Sequence, residues 1–185
     1  MRRIEKEYQD PVEIIWVHAA RQLGIEVRRD PEVFAAWDGN GVLRVGTAET
    51  LDADDSLAQM IFHELCHWLV EGPESFSEPD WGLVYDEPTH EVHEHACLRL
   101  QSAKADQFGL RQFFASTTDY RAYFDSLPSD PLEPSGDPAV ELAQAGWERA
   151  GEGVVAATLD LALQKTREIA NVVRPLVPTT SIWGT

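Results

Sequence analysis

Residues 56–72, SLAQMIFHELCHWLVEG, restrict the fold more than any other stretch of this chain. They hold no proline, and no glycine before Gly72. Leu57, Ile61, Leu65 and Leu69 recur every four residues. That spacing predicts a helix with a core-facing stripe, opening near Asp55 or Ser56 and stopping at Gly72-Pro73. The aspartates between Leu51 and Asp55 suit the positive end of such a helix. A helix this apolar must be covered by other elements.

Those elements are visible on both sides. In residues 11–23, Val12, Ile15, Trp16, Ala19 and Leu23 fall at helical spacing and Gly24 follows as a C-cap glycine would. Short β-like pieces come next, Ile25 to Arg28 and Val33 to Trp37, then Asp38-Gly39-Asn40-Gly41, then Val42 to Val45. The DGNG stretch tolerates positive φ, so a hairpin is expected between Val33–Trp37 and Val42–Val45. Residues 73–88 contain three prolines and read as a loop. Thr89 is placed to cap a second helix over residues 90–108, with Val92, Ala96, Leu100 and Ala103 as its stripe. Residues 117–127 suggest a short helix, SDPLEPSGDP a linker, and residues 139–173 two helices broken near Gly151–Gly153. The tail RPLVPTTSIWGT shows no regular pattern.

Inside the first long segment, His63, Glu64 and His67 spell HExxH. Four residues apart on a helix, the two histidines project from one face a single turn apart, the separation that chelates one ion. Imidazole is a good zinc ligand, and a catalytic zinc keeps three protein ligands and one place for water. Glu64 would lie beside that water, take its proton as general base and pass it to a leaving amine. A second cluster, THEVHEH at 89–95, offers the third ligand. If Val92, Ala96 and Leu100 mark the core face, Glu91 and His95 share one border, His93 with Cys97 the other, and Glu94 points away. Glu91 is the expected third ligand, with 23 residues between it and His67, and His95 or His93 as alternates. Tyr85, His90 and His93 are candidates to stabilise a developing oxyanion. Trp68, Trp81 and Trp147 read as packing residues, with Trp81 and Tyr85 also placed to line a cleft.

HExxH followed by a glutamate on a second helix resembles the gluzincin class of metallopeptidases. The preceding order is similar to the compact ImmA/IrrE-like family over residues 10–105: a helix ending Gln22-Leu23-Gly24-Ile25-Glu26-Val27, a hairpin, then Leu57-Ala58-Gln59-Met60-Ile61-Phe62 leading into the motif. The family's glutamate slot on the second helix falls on Glu91-Val92-His93 or His95-Ala96-Cys97. HELCHWLVEG is also similar to SprT-type proteases, but Glu71 stands where they carry a further histidine before the glycine, and no cysteine-rich ribbon follows. The order of elements implies an α+β fold dominated by helices, and the resemblance makes it a minimal zincin-like domain with a small N-terminal hairpin or sheet. It implies a zinc metallopeptidase acting on a peptide or protein. Residues 1–127 are expected to form the catalytic domain and 128–185 a C-terminal helical extension packed on it. The alternative is a non-catalytic, zinc-stabilised interaction module whose metal has four protein ligands.

Charge and composition narrow the setting. A net charge of −17 repels phosphate backbones, so nucleic acid is not an expected partner. No apolar run reaches the roughly 20 residues of a membrane-spanning helix, and Arg2 and Arg3 have no apolar segment behind them, so a cytoplasmic protein is expected. Two cysteines, Cys66 and Cys97, indicate buried thiols, not a disulfide framework.

Overall fold

Asp10 opens the first helix, α1 (Pro11–Gln22), its carboxylate accepting from the backbone N–H groups of Val12 and Glu13 at 2.9 and 3.2 Å. The computed structural model describes residues 5, 6, 8–85, 87 and 89–184. Arg2 and Arg3, and Asp86 and Pro88 of the loop, lie outside the described residues. Three strands follow α1: β1 (Glu26–Arg29), β2 (Ala35–Trp37) and β3 (Val42–Val45). Their order is β1-β3-β2, with β1 parallel and β2 antiparallel to β3. The expected hairpin is present, with Trp37 opposite Leu43, although its first strand starts at Ala35 instead of Val33. Gly39 takes φ +71 at the turn, and a Cβ there would stand 3.0 Å from the backbone of Glu78 and Pro79, so only glycine lets the turn nest against that loop.

α2 (Leu57–Glu71) carries HExxH and is the centre of the molecule, with twelve of its fifteen residues buried. Ser56 caps it, accepting from Gln59 N–H at 3.2 Å while its hydroxyl donates to Gln59 Oε1 at 2.7 Å, a close relative of the capping box. At the far end Arg149 Nη1 donates to the carbonyls of Leu69 and Val70 at 2.6 and 2.9 Å, satisfying orphaned acceptors with a cation at the negative end. α1 packs on one side of α2, where the rings of Trp16, Phe62 and Phe114 meet at 4.8–5.2 Å. α3 (His90–Asp106) and α5 (Ala139–Ala150) pack on the other sides, and α6 (Gly153–Val173) runs along α1, tied by the Trp16 indole to Thr166 Oγ1 at 3.0 Å. α4 (Arg121–Ser126) lies against α3. Thr89 precedes α3 but makes no side-chain capping bond among the described residues. The tail forms short 3-10 turns at Arg174–Leu176 and Ile182–Gly184, with Trp183 against Phe113 at 4.4 Å.

The fold is therefore α+β and mainly helical. One apolar cluster runs from Val12 through α2 and α3 to Leu163 and Ala170, so residues on both sides of position 127 share it. Among the described residues no helix is long and apolar enough to cross a membrane.

The packing of α3 differs from that of a surface helix. Residues Ala96 to Ala105 are all buried, polar ones included, because α2 covers one face and α5 another. Gly146 permits this: a Cβ there would meet Leu100 Cδ2 at 2.9 Å and Val70 Cγ2 at 3.2 Å. The stripe containing Leu100 thus faces α5, leaving a separate face for α2.

Candidate metal centre

His63 and His67 stand one turn apart on α2, as their spacing requires, with Nε2 atoms 3.0 Å apart. The carboxylate beside them is that of Glu94. Glu94 Oε1 lies 3.3 Å from His67 Nε2, and Oε2 lies 3.7 Å from His63 Nε2. Two ligands bound at 2.0–2.1 Å to a tetrahedral zinc stand roughly 3.3–3.4 Å apart, so these three donors already have the spacing of one coordination sphere. Two imidazoles and a carboxylate are also the chemistry that zinc takes at open sites.

Glu91 is elsewhere. Its side chain is 70% exposed and pairs with His95 Nε2 at 3.8 Å, while the His95 ring stacks on Tyr123 at 3.5 Å and 5°. His93 Nδ1 donates to Glu71 Oε1 at 2.7 Å, at the end of α2. The structure thus places none of Glu91, His93 and His95 beside the two α2 histidines, and Glu94, expected to point away, points in. The cause is the double-sided burial of α3: the stripe through Leu100 serves α5, and the face of His90, Glu94, Cys97 and Gln101 serves α2. His90, Glu94, Cys97 and Gln101 follow at i, i+4, i+7 and i+11, a spacing that marks a second face of α3 without saying which face meets α2.

Electrostatics follow from three carboxylates sharing a buried corner. Burial lowers the proton affinity of His67, but the charge and hydrogen bond of Glu94, with Glu64 and Glu71, outweigh it and push its pKa up to about 9. Burial alone would raise the Glu94 carboxyl, yet His67, His63 and His90 pull it down to about 2. Burial and the charge on His67 lower His63. Without a metal, then, one proton on His67 stands where these groups call for a cation.

A second donor set is geometrically available, because Cys97 Sγ lies with His63 and His67 donor atoms inside 4.8 Å. Cys97 is on the other side of the imidazole, 3.5 Å from His63 Nδ1, and its thiol donates to the His63 carbonyl at 3.4 Å. Burial, then the neighbouring Cys66, raise its pKa well above the usual thiol value, which opposes a thiolate. His63 Nδ1 is already engaged with Gln101 Oε1 at 2.9 Å. Glu94 is therefore the better third donor.

Glu64 is held by a residue read from sequence as packing. The Trp81 indole N–H donates to Glu64 Oε2 at 2.7 Å, deep in the protein. Trp81 stacks on Trp37 at 4.4 Å and 4°, and Trp37 in turn donates from its indole to Phe76 O and from its backbone to Asp80 Oδ1, both at 3.1 Å. Asp80 and Trp81 both take left-handed backbone, φ 47 and 58, a conformation that for a bulky residue stores about 1–3 kcal/mol. Such strain is held by surrounding contacts, and here its product is one N–H aimed at Glu64.

His63, Glu64, His67 and Glu94 border one cleft of about 270 Å³. Its walls come from Phe34 and Ala35 at the start of β2, from Met60, from Tyr85, and from residues 115–120. Of the oxyanion candidates, Tyr85 lines the cleft with its ring 4.6 Å from that of His90, His90 Nε2 lies 3.6 Å from Glu94 Oε1, and His93 is bound to Glu71. Tyr120, not singled out from sequence, also lines it. Trp147 does pack, under the Lys104 ammonium at 5.2 Å. Compared with family models, with curated proteins and with solved structures, the chain matches none.

Proposed function

We propose that the protein is a zinc-dependent metallopeptidase in which His63, His67 and Glu94 hold the metal and Glu64 is the general base. Zinc bound there supplies Lewis acidity and a hydrolytic nucleophile at neutral pH. Glu64 accepts the proton of the attacking water and returns it to the leaving amine. Trp81 holds Glu64 Oε2, which leaves Oε1 for that proton. Phe34, Met60, Tyr85 and Tyr120 offer apolar surface to side chains flanking the scissile bond. A peptide or protein substrate follows from the amide hydrolysis usual for HExxH zinc sites. Two histidines with a glutamate from a second helix keep the reading within the gluzincin type, similar to the compact ImmA/IrrE-like family, and two free cysteines suit a cytoplasmic setting.

The observation that carries this reading is that the base and the three donors, the donors clustered within 3.0–3.7 Å of one another, border a common open cleft. A structural zinc would use a fourth protein ligand. Zinc analysis and a peptide-cleavage screen on wild type and Glu64→Gln test it together. Glu64→Gln is expected to keep zinc and to lose cleavage by about 10²–10⁴-fold. Full zinc with no cleavage by wild type of any peptide or protein would favour the zinc-stabilised interaction module. Wild type that takes up no zinc would remove both readings.

A further inference from the structure

Gln101 sits two turns beyond Glu94 on α3, is buried, and makes two bonds of opposite sense. Its Nε2 donates to the Phe114 carbonyl at 2.5 Å, and its Oε1 faces His63 Nδ1 at 2.9 Å. A carbonyl oxygen only accepts, so the amide nitrogen must be the atom facing Phe114. The amide oxygen then faces the imidazole, and that imidazole nitrogen must carry a hydrogen. The Phe114 ring is fully buried between Trp16 and Phe62, so the carbonyl that sets this chain of donors is anchored in the core. Among the described residues His67 has no such partner: its Nδ1 is buried without a hydrogen bond.

From this we infer that Gln101 is a positioning residue that locks His63 in its Nδ1–H form and so presents the Nε2 lone pair to His67 and Glu94 before any ion arrives. The inference rests on the zinc reading above. Outer partners of this kind fix the tautomer and orientation of a ligating imidazole, and their loss typically lowers metal affinity by about 10–100-fold. The lock also explains the choice between the two donor sets. With Nδ1 protonated, the side of His63 facing Cys97 has no lone pair to give, and the side facing Glu94 does. Because Phe114 immediately precedes the cleft wall at 115–120, the same relay ties the metal ligand to the surface a substrate touches.

The test uses the full chain stripped of metal, with Zn²⁺ as the probe in competition with a chromophoric chelator. Gln101→Met keeps the volume and removes both bonds; Gln101→Glu keeps an acceptor for His63 and gives up the donor to Phe114. Gln101→Met is expected to bind Zn²⁺ about 10–100-fold more weakly than wild type and Gln101→Glu as tightly or more tightly, with both expected to be less stable than wild type in thermal unfolding. A purely structural role predicts the reverse ranking, with Gln101→Glu at least as impaired as Gln101→Met, and that result would overturn the inference. So would unchanged affinity in Gln101→Met. Tighter binding in Gln101→Met would assign the ion to Cys97 and the freed Nδ1. Long-range ¹H–¹⁵N spectra of the metal-free protein read the lock directly: His63 is expected as the Nδ1–H tautomer in wild type and as a mixture in Gln101→Met. An Nε2–H ring in wild type would overturn the lock even if zinc binds. Wild type with the expected tautomer but no affinity for Zn²⁺ would sink the zinc reading, and the lock's role as a metal device with it.

Discussion

α2 and α3 each supply part of one site, and they differ in how their residues come to face it. On α2 the two histidines need only share a helix, because four residues of separation put them on one face whatever surrounds it. On α3 the contributing residue must be aimed at another helix, and that depends on how α3 is rotated about its axis. The rotation is set by contacts with α2 and α5 together. Spacing within an element is local information; the facing of one element toward another is not.

The comparison is most sharply tested by exchanging partners on α3. Glu94→Ala is expected to weaken zinc binding by more than the roughly 10–100-fold typical of losing an outer partner. Glu91→Ala, at an exposed position, should leave affinity unchanged. Equal losses in the two variants by chelator competition would mean that α3 is rotated differently. The pH dependence of affinity probes the α2 side. His67 holds a proton below about 9, and zinc must displace it. Affinity should therefore rise with pH by about tenfold per unit until about pH 9 and then level off, with close to one proton released per zinc in calorimetry at neutral pH. In the metal-free protein the His67–Glu94 pair follows the opposite logic. The raised His67 contributes stability that is complete below 6.5 and lost as pH climbs through about 9. The depressed Glu94 contributes stability that is complete above 4.5 and lost as pH falls through about 2. Thermal unfolding without metal should accordingly show the pair's full contribution between 4.5 and 6.5.

A smaller effect is expected from the helix that sets the rotation. Gly146→Leu drives a side chain into Leu100 and Val70, and overpacking of this kind destabilises by about 1–3 kcal/mol. Chemical denaturation measures that loss, and an accompanying drop in zinc affinity would link α5 to the aim of Glu94. Loss of stability with intact affinity would show that α2 alone orients α3.

Much of the scaffold was legible. Ser56 and Gly72 bracket α2 as their capping chemistry predicts, Gly24 takes φ +82 just after α1, and the break between α5 and α6 falls at Gly151 and Glu152. The hairpin followed from DGNG. The segment 73–88 reads in sequence as a plain loop, but its described residues include short 3-10 helices at Pro73–Ser77 and Pro79–Gly82, and what it does was not legible. Trp81 reaches Glu64 only because Asp80 and Trp81 adopt a backbone that local rules assign to glycine, and such departures belong to sites where surrounding contacts override local preference. The stripe rule misdirected the reading of α3 because it assumes one buried face, and this helix has two.

Sequence by itself determined where α1 and α2 start and stop, that His63 and His67 share a face, and that Glu64 stands beside them. These follow from the helical repeat and from caps whose partners lie within a few residues. Only the tertiary structure decided that Glu94 and not Glu91 joins them, that Trp81 holds the base, and that Gln101 orients His63. Each of these depends on residues far apart in the chain, placed by the summed packing of α1, α2, α3 and α5, and no single spacing in the sequence records that sum.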